Sequence, residues 1–245
     1  RHMAIEFGHQ VRDDLVSDLQ REILAPWEMP QTLEVGVAYR PANHELGFGG
    51  DWYDVIILDG RAVFVVGDVA GHGSPAAARM TATKATIRAF VTTFPADEVV
   101  PRVNEALHHL QSGYVATAAL AWIDKRDHTL TWCLAGHPPP VLRTPDGETR
   151  LLEGVHHPPI GMRLDPRELP SVPFPPGSQL VLYTDGLIER RDVDLDERLE
   201  ALRVAVASLP DTVPADDACG RLIDDLSDAH DDVAVIVIRQ PAASG

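Results

Sequence analysis

The chain has 245 residues, 44% hydrophobic and 24% charged, an ordinary composition for a globular protein long enough for one large domain or two small ones. Its formal net charge of −16 disfavours nucleic acid as a partner, because phosphate backbones are bound by an excess of Lys and Arg. No apolar run approaches the roughly 20 residues that a membrane-spanning helix needs, so we expect no membrane partner.

The first predicted element is a helix between residues 10 and 25, where apolar residues recur at helical spacing and Pro26 ends the pattern. Two interpretations are open. The helix packs on its own domain, or it joins an upstream sensor domain or pairs with a second copy of the chain. We divide the chain into a cloning remnant (1–3), an N-terminal linker or regulatory helix (4–29), one large domain (30–240) and a tail (241–245).

A β-hairpin is predicted next. It joins apolar runs at residues 55–58 and 62–66 through Asp59-Gly60, and an Asp-Gly pair favours a hairpin because the turn needs positive φ. Asp51 precedes the first run and Asp68 follows the second. We therefore expect the two carboxylates at the same end of the two-stranded unit.

A glycine-rich turn follows Asp68, formed by Gly71, His72 and Gly73. Ser74-Pro75 then provides a capping residue and a first-turn proline for a helix. A strand end, acidic residues, a glycine turn and a helix start together indicate a metal or phosphate site. Asp and Gly are also ordinary turn residues, so a plain loop is the alternative.

Periodicity predicts helices and strands through most of the remaining chain. The predicted helices cover 76–94, 97–111 and two segments near 199–209 and 222–226, and the predicted strands cover 33–39, 114–123, 129–134, 179–183 and 233–238. The last strand is almost continuously apolar, which places it in the centre of a sheet. Residues 154–177 are rich in Pro and are expected to be irregular, either rimming a site or serving only as a connector.

The segment from Ala135 to Pro140 reads AGHPPP, and its prolines exclude both a helix and a central strand. Its histidine, His137, has two interpretations. It acts as a general acid or contacts phosphate, or it hydrogen-bonds its own loop. Both stay open at this point.

Three more carboxylates lie at the ends of predicted strands. Asp185 closely follows the run QLVLY, and Asp231 and Asp232 directly precede VAVIVI. Carboxylates close enough to repel one another are costly unless a cation neutralises them, and hard oxygen ligands suit Mg²⁺ or Mn²⁺ rather than Zn²⁺. The pattern therefore indicates a divalent-cation site.

The chain also resembles the SpoIIE/RsbU branch of the metal-dependent protein serine/threonine phosphatases, relatives of protein phosphatase 2C. The matching motifs are GGDWYD (49–54), GDVAGHGSPAA (67–77), AGHPPP (135–140), YTDGLIE (183–189) and DDVAVIVI (231–238). Their spread covers nearly all of the chain from Glu34 to Ile238. The resemblance implies an α+β fold, a four-layer α-β-β-α sandwich of two mainly antiparallel sheets flanked by helices, with residues 30–240 as the phosphatase domain and a two-metal site at one edge.

The resemblance also implies roles for individual residues. Asp68 would bridge two Mn²⁺ or Mg²⁺ ions, with the Val69 carbonyl completing one shell. Asp185 and Asp231 would hold the other ion, and Asp51 would bind the second ion directly or through water. These four aspartates are the candidate catalytic residues, and further possible or supporting positions are Asp54, Gly71, His72, His137, Glu189 and Asp232.

By resemblance we expect hydrolysis of phosphoserine or phosphothreonine on a protein, by attack of a water that bridges the two ions. The expected substrate is a phosphorylated anti-sigma-factor antagonist in bacterial signalling. Two alternatives are open: a catalytically inactive binding module with the same fold, and a metal-dependent phosphodiesterase.

The two cysteines, Cys133 and Cys219, follow no paired metal spacing and are too few for a disulfide scaffold. Neither has an arginine six residues later, so a covalent mechanism of the Cys-x5-Arg type is not indicated. Buried free thiols fit a reducing compartment, and we expect the protein in the cytoplasm.

Overall fold

The structure, a computed structural model, describes residues 30, 32–42, 49–71, 73–108, 115–154, 156–162, 167–190, 193–228 and 231–242. The predicted N-terminal helix at 10–25 and His72 lie outside the described residues. Within these ranges no helix combines the length and apolar character that crossing a bilayer would require.

The described strands and helices follow one another in groups along the chain. The strands are β1 (Glu34–Arg40), β2 (Trp52–Leu58), β3 (Arg61–Val69), β4 (Ala116–Asp124), β5 (Thr129–Ala135), β6 (Val141–Arg143), β7 (Thr149–Leu151), β8 (His156–His157), β9 (Ser171–Pro173), β10 (Gln179–Tyr183) and β11 (Val233–Arg239). The helices are α1 (Gly73–Val91), α2 (Ala96–His108), α3 (Leu195–Ser208) and α4 (Ala215–Leu226), with one 3₁₀ turn at Asp185–Leu187.

The strands form two sheets. The first has the order β1-β11-β10-β6-β7, and the second has the order β2-β3-β4-β5-β8 with β9 also paired to β5. All pairings between these strands are antiparallel except β5 with β8, which is parallel. The predicted hairpin is β2–β3, in which Leu58 pairs with Arg61 across the Asp59-Gly60 turn and Gly60 has a φ of 75°.

Strand β11 shows how the core is divided. Its even-numbered residues from Ala234 to Ile238 belong to the cluster between the sheets, and its odd-numbered residues from Val233 to Val237 pack against α3 and α4. Because both faces are covered, the strand needs apolar residues at every position. It lies between β1 and β10, in the interior of the first sheet rather than at an edge. This agrees with the prediction from its continuous apolar sequence.

Helices cover the outer face of each sheet. On the second sheet, α1 packs against β2 and β3 and α2 packs beside α1, and on the first sheet α4 lies over β1 and β11 while α3 lies over β6 and β7. The buried face of α1 includes Met80, Thr83 and Ile87, at the predicted helical spacing. The resulting order of layers is helix, sheet, sheet, helix, which confirms the predicted fold class.

The Pro-rich region 154–177 differs in part from the prediction. It contains two very short strands, β8 and β9, which add to β5. Strands of two and three residues are too short to show a period in the sequence. The region is therefore partly sheet edge rather than wholly irregular.

A buried ion pair fastens α1 to the second sheet. Asp54 on β2 is 1% exposed, and Arg88 donates to both of its carboxylate oxygens, at 2.5 and 3.0 Å. The Lys84 ammonium lies 3.9 Å from the same carboxylate, and burial lowers the pKa of Lys84. Removing one partner would leave the others desolvated without compensating charge.

We predict that Asp54→Ala lowers the free energy of unfolding by about 3 kcal/mol, because it removes the buried carboxylate to which Arg88 donates and near which Lys84 lies. Urea denaturation measures the loss. The matched control is Asp59→Ala, whose side chain is 96% exposed and pairs with Arg126 at the surface, and its denaturation midpoint should stay near that of the wild type. Equal losses in the two variants would contradict the assignment.

Candidate metal centre

Three carboxylates from distant parts of the chain converge at one edge of the sandwich. Asp51 directly precedes β2, Asp68 lies near the end of β3, and Asp185 opens the 3₁₀ turn after β10. One oxygen from each lies within 4.8 Å of the others. Asp51 is buried, and Asp68 and Asp185 are partly buried. The predicted hairpin supplies the first two carboxylates, and the other sheet supplies the third.

The first motif, GGD, brings its backbone against Asp68. A Cβ atom on Gly50 would lie 2.2 Å from the Val69 carbonyl oxygen and 2.6 Å from Asp68 Oδ1, so only glycine fits. The Val69 N–H donates to the Gly50 carbonyl at 3.2 Å, which fixes this close approach. The Gly50 backbone therefore lies close to both the Val69 carbonyl oxygen and the Asp68 carboxylate.

Thr184 connects Asp51 to the opposite sheet. Its hydroxyl donates to Asp51 Oδ2 at 2.6 Å and accepts from the Ala234 N–H at 2.8 Å. The threonine is fully buried, and its own N–H donates to the Ala234 carbonyl. The orientation of the Asp51 carboxylate is thus set by the strands β10 and β11. The sequence did not predict a role for Thr184, whose signal there is a polar residue directly before Asp185.

The three carboxyl groups resist ionisation when no cation is bound. Burial, and then the charge of Asp68, raises the pKa of Asp51 well above its usual value. Burial, and then the charge of Asp185, raises the pKa of Asp68 to about 7. Burial, and then the charge of Asp231, raises the pKa of Asp185. The cluster therefore favours whatever supplies positive charge, whether protons or metal ions.

The donor set fits hard divalent cations. Three carboxylates and a nearby backbone carbonyl offer only oxygen, which suits Mg²⁺ or Mn²⁺. A cation among these residues would remove the repulsion that raises their pKa values.

The structure places Asp231 and Glu189 at the edge of the cluster. Asp231 is exposed and is not in the group of three, although its charge contributes to the raised pKa values of Asp68 and Asp185. Its Oδ1 accepts from the Asp232 N–H at 2.8 Å. Glu189 is exposed, and its charge also raises the pKa of Asp185.

Asp232 supports the site from behind. It is buried, and its Oδ1 accepts from the Ala42 N–H at 2.8 Å, which anchors Ala42 beyond the end of β1. A Cβ on Gly186 would lie 2.1 Å from the Asp232 carbonyl oxygen, so the Asp-Gly pair at 185–186 allows the two chain segments to meet. The charge of Asp232 also contributes to the raised pKa values of Asp51 and Asp68.

Two candidates, Asp54 and His137, have hydrogen-bond partners away from the carboxylate cluster. The Asp54 carboxylate binds Arg88 and Lys84 of α1, because it points to the helix-covered face of the sheet. His137 is buried, and its Nε2 donates to the Tyr183 carbonyl while its Nδ1 accepts from the Thr117 hydroxyl, both at 2.8 Å.

Burial lowers the pKa of His137 to about 4, so its ring is neutral near pH 7. Both ring nitrogens are thus engaged in hydrogen bonds that fix the loop, in agreement with the second interpretation of His137. Gly71, another of the possible supporting positions, has a φ of 105° and open space around it, which is typical of a glycine in a turn.

The chain is similar in sequence and fold to known proteins. The family model described as Stage II sporulation protein E (SpoIIE) matches residues 58–241. The RsbU and RsbW domains of Rv1364c from Mycobacterium tuberculosis are 30% identical, with a TM-score of 0.78 over 87% of this chain and 62% of that chain. RsbX in complex with magnesium shares the fold at 17% identity, with a TM-score of 0.68 over 86% of this chain and 96% of that chain.

Protein IcfG of Synechocystis sp. (strain ATCC 27184 / PCC 6803 / Kazusa) is 24% identical over 222 residues. The alignment covers 77% of this chain and 33% of that protein. The chain thus spans about a third of the length of IcfG and less than two thirds of the M. tuberculosis chain.

We predict that the metal-free protein loses stability as the pH rises through about 7, the value to which the pKa of Asp68 is raised. The folded state holds a proton that the unfolded state releases near pH 4, so this stabilisation is complete below about pH 4 and is lost above about pH 7. Melting temperatures in EDTA measure the slope, and added Mn²⁺ should raise the melting temperature more at pH 8 than at pH 5.5. Asp68→Asn should flatten the slope and abolish the Mn²⁺ effect, and an unchanged slope in this variant would contradict the prediction.

We also predict that Thr184→Val weakens Mn²⁺ binding by about 10- to 100-fold, because the Asp51 carboxylate loses the hydrogen bond that orients it. Titration calorimetry measures the affinity. Thr184→Ser, which keeps the hydroxyl, should restore it. Thr83→Val in α1 is the matched buried control, and loss of affinity in that variant as well would argue for a general packing effect.

Proposed function

The chain belongs to the SpoIIE family of PP2C-type phosphatases, and from this premise we propose that it is a metal-dependent protein serine/threonine phosphatase. The observation that carries the proposal is the convergence of Asp51, Asp68 and Asp185 within 4.8 Å. A chain that had kept only the fold would have no need of three mutually repelling carboxylates. Their retention supports an enzyme rather than an inactive binding module.

The residues that would hold two divalent cations are Asp51, Asp68, Asp185 and the Val69 carbonyl, with Asp231 at the rim. When bound, the cations supply positive charge for the phosphoryl oxygens and acidify a water for attack. Magnesium or manganese is proposed from the oxygen donor set, and the fold is shared with RsbX, which has been seen in complex with magnesium.

Contacts within the protein hold the proposed metal-binding residues in place. Thr184 orients Asp51, the close approach at Gly50 keeps Val69 beside Asp68, and the Asp185 turn is packed on Asp232. A phosphate monoester is anionic and would be repelled by the bare carboxylates. Substrate binding is therefore coupled to cation binding at the same edge of the sandwich.

The proposed substrate is a phosphoserine or phosphothreonine on a protein. We extend this to a phosphorylated anti-sigma-factor antagonist, supported by the likeness to the RsbU domain that is joined to an RsbW domain in the M. tuberculosis protein. A cytoplasmic location is proposed with it, because Cys133 and Cys219 are unpaired buried thiols.

We predict Mn²⁺-dependent release of phosphate from a phosphothreonine peptide and from an aryl phosphate. Asp68→Asn should lower kcat by roughly a hundredfold or more, since it removes a central charge of the site. Asp59→Asn, at the opposite end of the hairpin, is the matched control and should retain wild-type activity. Phosphate release can be followed with malachite green.

Two outcomes would oppose the proposal. Absence of phosphate release from both substrates with Mn²⁺ or Mg²⁺ present would favour the inactive binding module. Faster hydrolysis of cyclic nucleotides than of the phosphopeptide would favour a phosphodiesterase. Activity towards phosphopeptides but towards no phosphorylated antagonist would remove only the finer substrate assignment.

A further inference from the structure

We propose that a cleft beside the metal centre binds an apolar side chain of the phosphoprotein substrate, within about three residues of the phosphorylated one. This flanking cleft has a volume of about 410 Å³ and includes Pro138, Asp185, Ile188, Val193 and Leu195 in its lining. The inference rests on the proposed phosphatase function and specifies which part of the substrate the enzyme recognises.

The flanking cleft is continuous with the candidate metal centre. Asp185 belongs to the carboxylate cluster and also lines the cleft. An extended peptide advances by at most about 3.6 Å per residue, so a phosphoryl group held at the cluster leaves only its near neighbours within reach of this cavity. The occupant is therefore a segment close in sequence to the phosphorylated residue.

One wall of the cleft is built by the AGHPPP loop. His137 within this loop is tied to the Tyr183 carbonyl and the Thr117 hydroxyl, and the Tyr183 hydroxyl donates to the Pro139 carbonyl at 2.8 Å. These buried bonds fix Pro138 relative to the end of β10, where Asp185 follows. The histidine thus contributes to the shape of the cleft.

The other wall is held by Arg198. Its Nε donates to the Ile188 carbonyl at 3.1 Å, and its Nη2 donates to the carbonyls of Leu187 and Leu226. This buried guanidinium fastens the turn after Asp185 to the end of α4. A cleft with two walls fixed in advance loses little entropy when a ligand binds.

Two exposed apolar side chains line the cleft. Among the described residues, the large hydrophobic side chains that stand exposed are Met162, Val193, Leu195 and Val204. Val193 is 38% exposed and Leu195 is 55% exposed, and both line this one cavity. Exposed apolar groups gathered in a concave site indicate a ligand that covers them.

Charged residues of both signs line the cleft, because Arg190 stands there with Asp185 and Glu189. They do not favour one sign of substrate charge, so the apolar groups of the lining select the occupant. The chemistry that matches the lining is an aliphatic side chain such as Leu, Ile or Val. Its methyl groups would contact Ile188, Val193 and Leu195.

The test uses phosphothreonine peptides in which a single leucine is moved through the positions three before to three after the phosphothreonine, in an alanine background. With Mn²⁺ present, the wild-type protein should show a kcat/KM about tenfold higher for leucine at one of these positions than for the all-alanine peptide.

Variants then locate the preference. Val193→Ser and Leu195→Ser should each reduce the leucine preference to about threefold or less. Val204→Ser is the matched control, because Val204 is 51% exposed but does not line the cleft, and it should keep the full preference.

The possible failures are distinguishable. Dephosphorylation of all peptides at equal kcat/KM, a preference for lysine over leucine, or a preference that survives Leu195→Ser would overturn the cleft assignment and leave the phosphatase standing. Release of no phosphate from any peptide or from an aryl phosphate would overturn both.

Discussion

The repulsion among Asp51, Asp68 and Asp185 is the constraint on which the rest of the structure depends. These carboxyl groups lie within 4.8 Å of one another and are unfavourable in their charged form, because burial first and neighbouring carboxylate charges second raise the pKa of each. Only a rigid scaffold keeps them together. Two sheets with fully buried strands provide it, and the cluster lies where the ends of β3 and β10 meet.

The scaffold acts through a few specific contacts at this edge. Gly50 allows two backbone segments to come into contact. The Thr184 hydroxyl, at the end of a strand of one sheet, donates a hydrogen bond to the Asp51 carboxylate of the other. The same edge fixes the walls of the flanking cleft through His137 and Arg198. Contacts at one edge thus hold both the carboxylate cluster and the flanking cleft. A phosphoryl group at the cluster and a neighbouring side chain in the cleft would therefore be bound at fixed positions relative to each other.

The β2–β3 hairpin and the shared position of Asp51 and Asp68 could be predicted from the sequence, because the residues that determine them are close together in the chain. The Asp-Gly turn fixes the register of β2 and β3, and that register places Asp51 and Asp68 at one end. What could not be predicted depends on packing between distant segments. Asp54 lies three residues after Asp51 and looks equally suitable, but cations of α1, some 30 residues later, bind it. Thr184 lies 133 residues from the carboxylate that it orients, and no periodic pattern encodes that contact.

The most direct test of the central claim is a crystal structure of the protein grown with Mn²⁺, with anomalous diffraction used to locate the ions. The account predicts anomalous peaks among the carboxylates of Asp51, Asp68 and Asp185, with the Val69 carbonyl oxygen at ligand distance from one of them. Well-ordered crystals with no peak between these residues at millimolar Mn²⁺, or with Mn²⁺ bound only elsewhere on the chain, would contradict it.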